Sequence, residues 1–536
     1  MAPATSNTRR APGAARSAAL VSAGILFSRL TGLLRTAIFA HFFGSTDAAD
    51  AFTATLRIPN ILQNLFGEGA LSASFIPVYA SLLARGEEEE SERTAGAVLA
   101  VLALVTAILV LVGVVLAPLW VELIAPGFHG PKRALTIELA RILFPGAGLL
   151  VISAWCLGIL NSHRRFFLSY SAPVVWNTAM IATLLGFGPR LALPRLAVVL
   201  AWGAVAGSAL QVGVQWPAVR GFVPRLRLTL RGFSEHVRTV LHNVVPVLFS
   251  RGVLQVSAYV DTLLASLLPA GSVATFAYAQ TLYLLPISLF GVAVSQSELP
   301  AMSGEMGDGA AVAQALRRRL DAGLRQIAFF VVPSAIAYFA IGNVIVAAVY
   351  HTGAFKHHDV VLVWGTLAGA TVGLLSASLA RLYSSAFYAL RDTRRPLNYA
   401  AVRVTLATGL GIVAAFWLPG WLGLDKAWGV AGLTVAAGIG AWVEFLLLRR
   451  GVNRRIGPTG VPRRLLLKLV GAAVVAAAAA RGLLWAMGGH GWSSLGPHHP
   501  WTVAVPVVGL YGAVYFAAAW LLRVPELAAA GRLLRR

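Results

Sequence analysis

The sequence predicts an all-α polytopic membrane protein with about fourteen transmembrane helices. Three observations carry this. Its 536 residues are 57% hydrophobic and only 12% charged, with mean hydropathy +0.74, too apolar for a soluble protein of two or three domains. Apolar runs of about 20 residues, the length that crosses a bilayer core of about 30 Å, recur along the whole chain between short polar breaks. The basic residues then sort by loop. Loops on the side of the N-terminus, with the span ends that adjoin them, carry 30 of the 44 Lys and Arg and the opposite loops carry 6, so both termini are expected in the cytoplasm. An even number of crossings is required by that orientation.

The expected crossings lie near 18–43, 49–83, 95–123, 135–160, 167–188, 196–218, 240–268, 273–302, 322–350, 359–388, 397–419, 426–448, 465–487 and 501–522. The second is longer than a straight crossing needs and contains Pro59, Gly67, Gly69 and Pro77. A tilted, kinked or broken helix is expected there. The leader meets Arg29 soon after its apolar run begins and has no small-residue cleavage site, so the first helix is read as retained. A net charge of +23 would suggest nucleic acid in a soluble protein; here it marks loop topology, and no nucleic-acid partner is expected. Cys156 stands alone, which excludes an intrachain disulfide and suits a small apolar filler.

The chain reads as duplicated. Phe27-Ser28-Arg29 returns as Phe249-Ser250-Arg251. Each is followed by a glycine break (Gly44, Gly271), a proline in the next span (Pro59, Pro286), a Phe-Gly pair (66–67, 290–291) and a later proline (Pro77, Pro300). Six crossings per half is an even number, so the repeats are parallel, with a binding cavity expected between two bundles. The organisation follows: a cytoplasmic leader 1–17, an N-terminal six-helix bundle 18–219, a basic cytoplasmic linker 220–239, a C-terminal six-helix bundle 240–448, a basic cytoplasmic loop 449–464, two additional transmembrane helices 465–522 and a basic tail 523–536. The basic linker is expected to anchor topology and to seek anionic membrane lipid, with a gating role as the alternative.

Ionised residues inside the apolar stretches point to transport. Each costs roughly 2.5 to 3.5 kcal/mol at membrane depth, so it faces water or a polar partner. Arg29, Arg35 and Arg251 suit a phosphorylated ligand, because guanidinium groups stay charged and hold phosphate oxygens in pairs. Arg35 follows Arg29 by six residues, about 120° round an ideal helix, so the two need not share a face. Arg57 either binds with them or, with Pro59, shapes its helix. Asp50 opens the second span, where it either caps the helix or gates by charge pairing. Glu68, between two glycines, suits an opened backbone with an arginine partner. Asp261 is a candidate for coupling to Na+ or H+, or a partner of Arg251.

The stretch from Phe27 to Gly86, with the Phe66-Gly67-Glu68-Gly69-Ala70 core, resembles the N-terminal signature of the MurJ (MviN) family of lipid II flippases, within the multidrug/oligosaccharidyl-lipid/polysaccharide exporter superfamily. Similar matches lie at Gly271–Ser303 and at Phe387–Pro396. The resemblance implies two six-helix bundles plus two helices, and movement of the undecaprenyl-pyrophosphate-linked peptidoglycan precursor from the cytoplasmic to the periplasmic leaflet. It implies a bacterial inner-membrane location and peptidoglycan synthesis proteins as partners. Arg29, Arg35 and Arg57 match basic positions of the family's first block, Asp50 and Glu68 its acidic ones, and Asp261 an acidic position of the seventh span. Two customary basic positions differ, with Gln63-Asn64 before the Phe66 motif and Thr281 in the eighth span; Arg251 is a replacement for one of them.

No phosphate-binding loop for ATP and no nucleophile-base constellation stands out, so an enzyme is not expected. Energy is then expected from Na+, H+ or the membrane potential. His357-His358 and His498-His499 lack cysteine or spaced carboxylate companions, and no metal or other cofactor is expected. The alternatives are a flippase for another polyprenyl-linked saccharide, a cation-coupled multidrug exporter lined by carboxylates, and a non-transporting envelope scaffold.

Overall fold

A computed structural model describes residues 12–65, 70–229, 234–292, 310–390, 392–489 and 499–527, with isolated positions between 294 and 302. Helix, with brief turns, occupies the described part of each of the fourteen expected crossings, and no strand occurs among the described residues. Ten helices there are long and apolar enough to cross a membrane. The chain is an all-α polytopic membrane protein.

The helices are α1 (Pro12–Phe43), α2 (Asp47–Leu62), α3 (Ala70–Ala84), α4 (Glu88–Val115), α5 (Ala117–Ile124), α6 (Gly130–Ser162), α7 (Phe166–Phe187), α8 (Leu193–Phe222), α9 (Glu235–Ser266) and α10 (Ser272–Pro286). After them come α11 (Ala310–Tyr350), α12 (His357–Ala389), α13 (Arg394–Phe416), α14 (Gly429–Ile456), α15 (Arg463–Ala486) and α16 (Pro500–Leu521). The long second crossing is interrupted as its Pro and Gly content requires. Regular α-helix stops at Leu62 and a wider π turn takes Gln63–Leu65 before α3 starts at Ala70. The eighth crossing does the same, with a π turn over Ile287–Val292 directly after Pro286. The glycine that precedes each of these helices is left-handed: Gly44 has φ +55 and Gly271 φ +86.

Two compact units emerge, Met1–Phe43 with Asp47–Tyr259, and Gly44–Thr46 with Val260–Arg536, so the division falls inside α9. In the first unit α6 is central, packed by α2, α3, α4 and α8, while α7 joins α1 to α8. Trp155, Phe75, Tyr79 and Leu160 are buried in its core together with Cys156. Inside a bilayer no water can satisfy polar groups, so they bond to one another. Ser153 on α6 donates to Gln215 Oε1 at 2.7 Å and accepts from Gln211 Nε2 at 2.8 Å, both on α8.

In the second unit α12 packs between α11 and α14. Small residues bring α12 and α14 together: a Cβ on Gly373 would stand 2.6 Å from the Gly438 Cα. One turn away, Thr434 donates to the Thr366 carbonyl at 2.8 Å. Prolines within spans leave carbonyls four residues earlier without their helical donor, and tyrosines replace it. Pro333 in α11 withholds a donor from Phe329 O, which instead accepts from Tyr515 Oη of α16 at 2.6 Å. Pro286 does the same to Leu282 O, which accepts from Tyr338 Oη of α11 at 2.8 Å. A second α16 tyrosine, Tyr511, donates to Pro333 O at 2.7 Å. The last helix, α16, is thus fastened to α11 by tyrosine-to-backbone bonds as well as packing, while α15 packs against both.

Candidate functional site

The intramembrane charges fall into two groups, one in each unit. In the first unit α1 lies along α7. Gly32 of α1 leaves room for Asn177 of α7, and the Asn177 amide reaches Thr31 Oγ1 at 3.5 Å. The next turn carries Arg35, whose guanidinium lies 4.9 Å from the centre of the Trp176 ring and 4.0 Å from Met180 Sδ. Trp176 is held in place from behind, because its Nε1 donates to Ala204 O of α8 at 3.0 Å. A cation set on an aromatic face keeps its edge N–H groups able to bind an anion. Arg29 is exposed on a different face of α1, among the exposed Leu26, Phe27 and Leu30. The 120° offset thus separates them, and Arg35 alone of the pair is half-buried.

Asp50 lies in the first turn of α2 and is buried, at 1% exposure. Lys132, at the start of α6, places Nζ 2.6 Å from Asp50 Oδ2 and 2.8 Å from Asp47 Oδ1. The same ammonium stands 4.2 Å over the Phe128 ring. Sequence reasoning gave Lys132 no role beyond that of a loop cation; a buried carboxylate at the start of α2 was the only signal that a partner had to exist. Arg57 is half-buried on α2, where its carbonyl accepts from Tyr259 Oη at 3.4 Å. Arg251 falls on α9, but its side chain is outside the described part, and Glu68 lies outside the described residues altogether. Gln63 and Asn64 occupy the π turn that ends α2, with Asn64 exposed, and Thr281 donates to Ala277 O at 2.9 Å within α10.

The second unit holds charges to which the sequence pattern alone assigned no role. Arg403 of α13 bonds Glu444 of α14 at 3.3 Å, with Glu444 buried. Arg381 of α12 and Tyr283 of α10 lie within electrostatic reach of that pair. Three charged residues on three adjacent crossings were visible in the sequence; that they converge was not, because they are separated by loops of unrelated composition. Asp261 is half-buried on α9 in this unit. Among the described residues no cluster of three His, Cys, Asp or Glu side chains is arranged to hold a metal ion. His357 opens α12 and His499 precedes α16, whereas His498 lies outside the described residues.

Residues 39–494 match the family described as lipid II flippase MurJ. The chain belongs to this family. A lipid II flippase MurJ of Burkholderia cenocepacia is 32% identical over 94% of this chain and 96% of its own length. A probable lipid II flippase MurJ of Haemophilus influenzae is 30% identical, covering 80% of this chain and 84% of its own. Among solved structures, a lipid II flippase MurJ in an inward closed conformation superposes with TM-score 0.76, covering 94% of this chain and 99% of that one, at 22% identity. An inward-facing multidrug resistance MATE transporter of the MOP superfamily shares the fold more loosely, at TM-score 0.63 and 20% identity over 80% of this chain and 95% of that one. MurJ relatives are named as flippases, so this family member is a transporter rather than an enzyme and a multi-pass membrane protein.

Proposed function

We propose that this chain carries lipid II, the undecaprenyl-pyrophosphate-linked peptidoglycan precursor, from the cytoplasmic to the periplasmic leaflet of a bacterial inner membrane by alternating access. One observation carries the reading: the match to a lipid II flippase MurJ, at 32% identity, runs through 94% of this chain and 96% of that relative. The cationic first unit supports it. Arg35 on its Trp176 platform offers a guanidinium to pyrophosphate oxygens while the polyprenyl tail stays in lipid. Arg29, Arg57 and Arg251 supply further positive charge on α1, α2 and α9, and Glu68 resets or gates them.

Both termini face the cytoplasm in this reading, as the basic loops favour. Coupling runs through Na+ or H+ at Asp261, or through the membrane potential, and peptidoglycan synthesis proteins are the partners that supply or consume the lipid. The test is leaflet accessibility of labelled lipid II in cells depleted of their own flippase and re-expressing this chain. Restored periplasmic exposure is expected. Lipid II that stays cytoplasmic, with the chain present in the membrane, would overturn the reading.

A further inference from the structure

A group of basic side chains gathers where α11 ends and α12 begins, on the face that the reading above places in the periplasm. His351 directly follows α11, and its ring centre lies 6.4 Å from that of His357, the first residue of α12. Its Nδ1 is buried with no hydrogen-bond partner among the described residues. Lys356 from the intervening loop and His499 from the turn before α16 also act on the ring, and among the described residues Asp359 of α12 is the one carboxylate that opposes them. That carboxylate is already engaged, because its Oδ2 accepts from the Lys356 backbone N–H at 2.8 Å and caps α12. Lys356 Nζ donates to Gly353 O at 2.8 Å, which holds the ammonium over the same loop. Burial first, and then His357, Lys356 and His499, keep the His351 imidazole below its ordinary value of 6.5.

The loop 351–356 is also the seat of the α1–α2 joint. Phe355 is fully buried, with its ring 5.5 Å from that of Tyr278 and 5.7 Å from that of Tyr350. Tyr278 Oη donates to Gly44 O at 2.8 Å, and a Cβ on Gly44 would stand 2.9 Å from Ala354 O. Gly44–Thr46 counts with the second unit, whereas α1 and α2 on either side of it belong to the first. Charging His351 would put a desolvated cation beside an ammonium and two other imidazoles, with no acceptor at its buried Nδ1. Carrying the ring out to water relieves this, and the loop moves with it.

We propose that His351 is a proton-operated release for the α1–α2 joint: neutral, it seats the 351–356 loop against Gly44, and protonated from the periplasmic side it lifts the loop and frees Gly44–Thr46. The joint is then seated above the ordinary imidazole range and released as pH falls, since the released ring takes up the proton more readily than the seated one. Such a release is independent of which lipid the chain carries.

The test uses the full chain in nanodiscs with Ser45→Cys as reporter; the native Cys156 is buried and stays silent. Thiol labelling is timed at about pH 5.5 and about pH 7.5, which bracket the imidazole range. The same reporter is timed in a His351→Asn background, where the thiol's own response to pH is identical and cancels. The acid-to-neutral rate ratio is expected to be at least about threefold larger with the histidine than with His351→Asn. Asp359→Asn, whose amide oxygen can still cap α12, makes the charged ring less tolerable in place and should move the release to higher pH. Lys356→Gln should move it to lower pH. Equal ratios with and without His351 would overturn the proposal. Fast labelling of the His351→Asn chain already at neutral pH would overturn it too, by showing that His351 holds the loop through packing. Shifts of the same sign in Asp359→Asn and Lys356→Gln would likewise remove proton control at this site, whereas opposite shifts support it.

Discussion

The Lys132 ammonium, at the start of α6, sits 2.6 Å from the buried carboxylate of Asp50 on α2. Asp47 joins from an exposed position and adds little, as solvent screens it. Removing the lysine leaves Asp50 buried without its cation, a loss of roughly 3 to 5 kcal/mol. Lys132→Met should therefore lower the melting temperature of the detergent-solubilised chain sharply, while the double variant Lys132→Met with Asp50→Leu recovers much of it. A double variant no more stable than the single one would show that the pair is not the source of the effect.

Two proline-freed carbonyls depend on tyrosine hydroxyls. Tyr515→Phe and Tyr338→Phe each strip the replacement donor from Phe329 O and Leu282 O, at about 1 to 3 kcal/mol apiece. The cost should vanish for Tyr515→Phe when Pro333→Ala restores the helical donor to Phe329. Thermal stability of the two single variants and this double variant checks the coupling directly.

Arg35 and Trp176 act as one unit. Arg35→Ala should abolish rescue of flippase-depleted cells at unchanged membrane level. Trp176→Leu, which removes a cation–π contact of about 0.5 to 2 kcal/mol, should reduce rescue without abolishing it. Equal rescue by Arg35→Ala and the wild type would remove Arg35 from the substrate path.

His163, in the loop after α6, stacks on Phe222 with ring centres 4.2 Å apart and takes a hydrogen-bond contact of 3.1 Å with Tyr79 Oη. Burial holds its imidazole below the ordinary value of 6.5, and Arg164 and Arg165 follow it directly in the chain. The unfolded chain therefore binds the proton more readily than the folded one. Stability is complete above the ordinary imidazole range and is lost as pH falls through the folded value. The melting temperature should drop below about pH 6.5 in the wild type, and His163→Gln should flatten that acid limb. Identical pH profiles would exclude His163 as the responsible group.

The crossings were legible because lipid imposes one rule on every span, about 20 apolar residues, and α4, α12 and α14 obey it. The breaks after α2 and α10 were legible from Pro and Gly. Partners were not. Nothing local to Asp50 names Lys132, which is 82 residues away, and Trp176 is an unremarked aromatic until α7 turns it toward Arg35. Glu444 escaped notice because a single carboxylate in an otherwise apolar helix acquires meaning only when α13 supplies Arg403.

The wide turns at Gln63–Leu65 and Ile287–Val292 follow helices of 16 and 15 residues, α2 and α10. In each half a wide turn thus interrupts the regular helix about 23 Å along the segment from the glycine that starts it. Bending of each segment is concentrated at its own wide turn, like a knee partway down a leg, so a stiffening substitution at one joint should be mimicked by its counterpart at the other.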